Sequence, residues 1–93
     1  MPTYVMLTNL TSEGVKTIRN NPARVSEVNH EVEALGAKVI AQYTTLGQYD
    51  FATVIDAPSE EVMAAVSIEM GSRGTMTSQT LTALSAERLA EVL

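Results

Sequence analysis

The chain has 93 residues, 45% of them hydrophobic and 18% charged, with a formal net charge of −5 and no cysteine. It is too apolar for disorder, and its 6 scattered Lys and Arg make no basic patch for nucleic-acid phosphates or an anionic membrane surface. The absence of thiols excludes disulfides, thiolate metal sites and cysteine catalysis.

Met1-Pro2-Thr3-Tyr4-Val5 lacks the basic-then-apolar pattern of a signal peptide, and no apolar run approaches the roughly 20 residues of a bilayer span. A cytoplasmic location is expected. Thr3 to Leu10 reads as a first strand. Val5 and Leu7 point one way, and Tyr4, Met6 and Thr8 the other. Apolar bulk on both faces predicts a strand interior to its sheet and covered on each side. Thr11 or Ser12 caps a helix start with Glu13 in its first turn, while Gly14 weakens that start. Asn20-Asn21-Pro22 interrupts, with Asn21 expected as the next cap and Pro22 at the first helical position. From Ala23 onward Val25, Val28, Val32 and Leu35 share one helical stripe, and Gly36 is the expected stop.

Ala37 to Leu46 reads as a second strand. Strict alternation puts Lys38, Ile40, Gln42 and Thr44 on one face, and Val39, Ala41, Tyr43 and Thr45 on the other. Gly47 to Asp50 reverses the chain. Phe51 to Ala57 follows as a third strand, with Phe51, Thr53 and Ile55 opposite Ala52, Val54 and Asp56. Two such runs about a short Gly-containing turn form an antiparallel pair. Ser59 caps a second helix whose buried stripe is Val62, Met63, Val66 and Met70; Ile68 lies off it. Gly71-Ser72-Arg73-Gly74 ends that helix. Thr75 to Leu81 reads as a fourth strand, and Ser85 caps a short closing helix bearing Leu84, Leu89 and Val92.

The order β-α-β-β-α-β with a terminal helix predicts an α+β, ferredoxin-like fold. It is one domain over residues 1–93, with a core to 83 and a helical extension over 84–93. Its sheet is four-stranded and antiparallel, with helices on one face. The other face is too apolar to leave in water, so two sheets are expected to stack as a dimeric α+β barrel. A homo-oligomer, dimer or higher, follows.

The residues that could carry chemistry are few. Tyr49 and Asp50 place a phenol beside a carboxylate at a sheet end, able to orient a ligand or simply to build the turn. His30 is the only histidine, but it falls almost opposite the buried stripe of its helix, and only Glu27 stands one turn away. No metal site is expected. Arg73 could clamp a carboxylate or phosphate, or pair with Asp50, Asp56 or another chain's Glu. Tyr4, Met6 and Tyr43 could line a cavity on the open sheet face, or be plain core.

Leu46-Gly47-Gln48-Tyr49-Asp50-Phe51 resembles the signature of the GYD-domain family. Tyr4 to Leu7, Leu35 to Val39, Ala57-Pro58, Gly71 to Gly74 and Thr80-Leu81 are similar as well, and the resemblance runs to about Ala83. It implies the dimeric α/β barrel superfamily. That superfamily holds cofactor-independent monooxygenases, haem-handling proteins, lactone isomerases and amino-acid-sensing modules, so the fold does not choose among them. The turn is also similar to that of the ligand-sensing domain of leucine-responsive regulators, whose DNA-binding helical domain has no counterpart in this chain.

The first expectation is a homo-oligomeric, cofactor-free barrel that binds a small organic molecule between sheet and helices, with the motif turn and Arg73 at its mouth. The second is a cofactor-independent oxygenase or isomerase in which His30 or Tyr49–Asp50 moves protons. The third is a structural assembly module.

Overall fold

The computed structural model describes residues 1–93. Strand β1 (Thr3–Leu10) leads into helices α1 (Ser12–Asn20) and α2 (Arg24–Ala34). Strands β2 (Lys38–Thr44) and β3 (Phe51–Asp56), helix α3 (Glu60–Gly71), strand β4 (Met76–Ala83) and helix α4 (Ala86–Val92) follow. The four strands form one antiparallel sheet in the order β2-β3-β1-β4. This is the ferredoxin-like arrangement, with the first crossover built from two helices.

The register sorts side chains onto two faces. Tyr4, Met6 and Thr8 lie opposite Ile55, Thr53 and Phe51, and all of these face the helices. Met63, Val66 and Met70 of α3 and Val32 of α2 close the core over them. Ile55, Val66 and Met70 are fully buried, and each contributes about 1.5–3 kcal/mol of transfer free energy. The second face carries Val5 and Leu7 of β1, Ala52 and Val54 of β3, Ala41 and Tyr43 of β2, and Leu81 of β4. No element of the chain covers it. The two-sided apolar pattern of β1 matches its interior position, and a layer over its second face would have to come from another chain.

Local chemistry explains most of the element ends. Thr11 is the N-cap of α1, and its hydroxyl accepts from the Gly14 N–H at 3.2 Å while donating to the Gly74 carbonyl at 2.8 Å. Gly14 is buried, and a Cβ there would lie 2.0 Å from the Thr75 carbonyl oxygen. The glycine that weakens the helix in isolation is what lets α1 seat against the approach to β4. Asn21, expected as the α2 cap, does not serve. The Asn21 and Pro22 carbonyls accept from the Arg24 and Val25 N–H groups in a turn, and the uncapped helix begins after Ala23. Its end is a Schellman motif: Gly36, at φ +102°, donates to Glu33, and Ala37 donates to Val32. Ser59 caps α3 and Ser85 caps α4 through their side chains.

Strand β2 departs from strict alternation. A β-bulge between Val39 and Ala41 makes Ile40 an extra residue. Val39 consequently faces the helices with Gln42 and Thr44, while Lys38, Ala41 and Tyr43 face the open side. The single inserted residue moves every later side chain to the other face.

Candidate functional site

The motif turn is built by backbone bonds. Gly47 takes φ +122°, a conformation other residues adopt only under strain. The Thr45 N–H donates to the Asp50 carbonyl at 2.9 Å, and the Thr45 hydroxyl donates to the Tyr49 carbonyl. Asp50 then grips the neighbouring strand β1 twice. Its N–H donates to the Thr8 carbonyl at 2.8 Å, and its carboxylate accepts from the Leu10 N–H at 2.8 Å. The Tyr49 phenol donates to Gln79 Oε1 on β4 at 2.8 Å, spanning the end of the sheet on its open side. Tyr49 and Asp50 thus each have a side-chain bond that ties the hairpin to the strands beyond it.

A cavity of about 60 Å³ lies between the helix-facing side of the sheet and helices α1 and α2. It opens toward a surface hollow of about 470 Å³ lined by Pro22, Thr44, Thr45, Leu46 and Asp50, and Leu10, Ile18, Val25, Gln42 and Phe51 line both. The motif turn therefore forms the rim of the entrance. Most of the interior is apolar, from Met6, Val28, Val39 and Ile55 among others. Four polar side chains interrupt it: Thr8, Asn29, Gln42 and Thr53. Asn29 Nδ2 donates to Gln42 Oε1 at 2.8 Å, and Gln42 Nε2 donates to the Thr53 hydroxyl at 3.1 Å. This relay runs from α2 across β2 to β3.

Strict alternation concealed the relay, because it grouped Gln42 with Lys38 on one face. The bulge at Ile40 separates them and turns Gln42 inward. The available signal was Thr53, a polar residue sharing a face with Phe51 and Ile55.

Arg73 borders a smaller hollow of about 110 Å³ that shares Leu10, Ile18, Val28 and Met76 with the cavity. Its guanidinium is engaged by Glu31 of α2 and, at 3.4 Å, by Glu69 of α3. Arg24 joins Glu31 at 3.1 Å. The expected partners Asp50 and Asp56 are used elsewhere: Asp50 by Leu10 and Asp56 by the Thr3 hydroxyl. The hydrogen bond from Arg73, with Arg24 in support, holds the Glu31 carboxyl below its usual range, and Glu31 in turn raises Arg73.

The remaining expected residues do not converge. Tyr4 and Met6 lie on the helix face, whereas Tyr43 is 63% exposed on the opposite face, so the three do not line one cavity on the open face. The bulge in β2 turns Tyr43 away from the face that Tyr4 and Met6 share on β1. Met6 lines the cavity under α1 and α2; Tyr4 lies under α3, beside Met63, Ser67 and Thr80. Its phenol oxygen is buried without a hydrogen-bond partner, and burial, then Glu60 and Glu61, pushes its pKa up. His30 is exposed on α2 and lines neither the cavity nor the hollow at the motif turn. No three acidic or histidine side chains converge as a metal site, and no helix is long and apolar enough to cross a membrane.

A match to the GYD domain spans residues 4–93 and so takes in α4, beyond the Ala83 limit of the resemblance read from the sequence. A protein of Thermus thermophilus named "Glutamine synthetase and cystathionine beta-lyase binding protein" is 41% identical over 85 residues, covering 90% of each chain. No solved structure matches.

Proposed function

This chain belongs to the GYD-domain family, and from that premise we propose that it is a homo-oligomeric binding protein that docks onto enzymes of amino-acid metabolism. The observation that carries this reading is its uncovered surface. The accessible area is 5951 Å², against about 5,240 Å² for a compact monomer of this mass. The excess of roughly 700 Å² is close to the ~800 Å² each partner buries in a standard protein interface. It comes with an open apolar sheet face and with α4, all of whose residues are exposed. Pairing of two open faces covers Val5, Leu7, Val54 and Tyr43 and gives the stacked barrel. Helix α4, with Leu89 and Val92 exposed, remains available to a different protein. The similar Thermus protein, named for two enzymes it binds, supports the choice of partner class.

The test is light scattering of the purified chain, alone and mixed with its host's glutamine synthetase or cystathionine beta-lyase. An oligomer that co-elutes with either enzyme is expected. A monomer at micromolar concentration overturns the face pairing, and elution apart from both enzymes overturns the partner assignment.

A second reading, binding of a small organic molecule, is favoured by the cavity under α1 and α2 and its entrance at the motif turn. In it Met6 lines the interior, Asp50 the rim, and Arg73 the adjoining hollow. Tyr43 and Tyr49 belong instead to the open face, where a second copy would meet them. Proton transfer is the weaker alternative, because Tyr49 and Asp50 are engaged within the sheet and His30 lines neither the cavity nor its entrance. The binding readings place the protein in the cytoplasm, where such enzymes work, and require neither cofactor nor nucleic acid.

A further inference from the structure

We infer that the cavity beneath α1 and α2 selects a small uncharged molecule that presents a hydrogen-bond acceptor, such as a carbonyl oxygen, to the sheet. This inference rests on the small-molecule reading above and names its ligand class. The cavity's volume, about 60 Å³, is several times the roughly 10–15 Å³ that one water requires. No charged side chain lines it, so an ionised group would enter at a heavy desolvation cost. Its polar groups are arranged with a direction. Asn29 donates to Gln42, and Gln42 donates to the Thr53 oxygen. The relay thereby fills an acceptor position on Thr53 and leaves that hydroxyl's own proton without an acceptor. Thr8, on the adjacent strand and the same face, is 5% exposed, and its hydroxyl makes no hydrogen bond in the fold. Two hydroxyl protons therefore have no acceptor within the protein, on the floor of a largely apolar chamber that also holds the Asn29 and Gln42 amides. A ligand oxygen satisfies them, while its hydrocarbon body meets Val28, Val39, Ile18 and Phe51 toward the entrance.

The test is an NMR titration of the full chain with cyclopentanone and with cyclopentane, in the wild type, Thr8→Val and Thr8→Ser. Shifts are read at the Gln42 side-chain amide and the Thr8 and Thr53 backbone amides. Valine preserves the shape of threonine and removes a hydroxyl that has no partner, so the fold should persist; thermal melts check this. Serine retains the hydroxyl and covers the case in which valine disturbs the strand. The expected result is a ketone-to-hydrocarbon affinity ratio that falls about tenfold in Thr8→Val, the worth of one buried hydrogen bond, and is kept in Thr8→Ser. Binding of both probes with the same ratio in all three proteins overturns the acceptor preference but leaves the cavity as a small-molecule site. Shifts from neither probe up to its solubility overturn the small-molecule reading as well, while the enzyme-docking reading stands on its own test.

Discussion

Asp50 uses two groups to hold one strand. Its N–H and carboxylate meet the Thr8 carbonyl and the Leu10 N–H, which continues the β1–β3 pairing past the point where the hairpin turns away. A side-chain acceptor is all the second bond needs. Asp50→Asn should therefore leave the urea midpoint nearly unchanged, whereas Asp50→Ala should cost on the order of 1–2 kcal/mol by leaving the Leu10 N–H without its acceptor. Equal losses in both variants would show that the negative charge itself matters. The Tyr4 phenol is the opposite case, a buried oxygen with no partner. Tyr4→Phe removes an unsatisfied group and little volume, so its melting temperature should match the wild type or exceed it by a few degrees; a clear fall would reveal a partner for the hydroxyl in solution. The sequence made Asp50 legible as a turn residue that bonds backbone N–H groups. It could not show that the N–H belongs to Leu10, because that partner is 40 residues away.

At the scale of elements, what periodicity and capping report was legible, and what a single residue can alter was not. The four strands, the α3 stripe of Met63, Val66 and Met70, the Ser59 and Ser85 caps and the Gly36 stop all follow from local chemistry. The bulge at Ile40 does not, since no residue there departs from strand propensity, and with it went the facing of Gln42 and Tyr43. The role of Gly14 was hidden for a similar reason: its neighbour is the Thr75 carbonyl, distant in sequence. Gly14→Ala improves helix propensity yet forces α1 off that carbonyl. Its melting temperature should fall rather than rise, and a rise would mean that α1 can shift without loss. Arg73, just past the end of α3, links Glu31 of α2 to Glu69 of α3, and this link depends on pH. The folded-state pKa of Glu31 is lowered, so its stabilisation is present above the ordinary carboxylate value, about 4.3, and is lost as pH falls through the folded value. The side chain is 37% exposed, which keeps the contribution below about 1 kcal/mol. The stability gap between wild type and Glu31→Gln should accordingly be constant near neutrality and close below about pH 4. A gap that persists at pH 2 would assign it to packing instead.

The whole molecule is less compact than its length requires. Its radius of gyration is 13.8 Å and its extents are 47 × 29 × 19 Å, against about 12 Å expected for a compact chain of 93 residues. A thin sheet layered on one side only, with α4 extending from its edge strand, accounts for the difference. Such a shape is economical if the missing layer is another protein. Val54 tests this most directly. It sits on β3, between Val5 of β1 and Ala41 of β2, on the open face. In an isolated chain a lysine there can carry its charge into water along a four-carbon stem, so folding should survive. Across two stacked faces the same charge is taken out of water, at a cost of several kcal/mol. Val54→Lys should therefore keep the wild-type circular dichroism spectrum while its scattering mass falls to the 10.0 kDa of one chain. If the wild type is oligomeric and the lysine variant keeps its mass, the subunits join elsewhere, and the free edge of β4 or helix α4 becomes the surface to alter next. Capture of the partner enzyme separates the two surfaces further. A monomeric variant that still co-elutes with its enzyme assigns enzyme docking to a site on the single chain, whereas joint loss of mass and capture makes the stacked pair the docking unit.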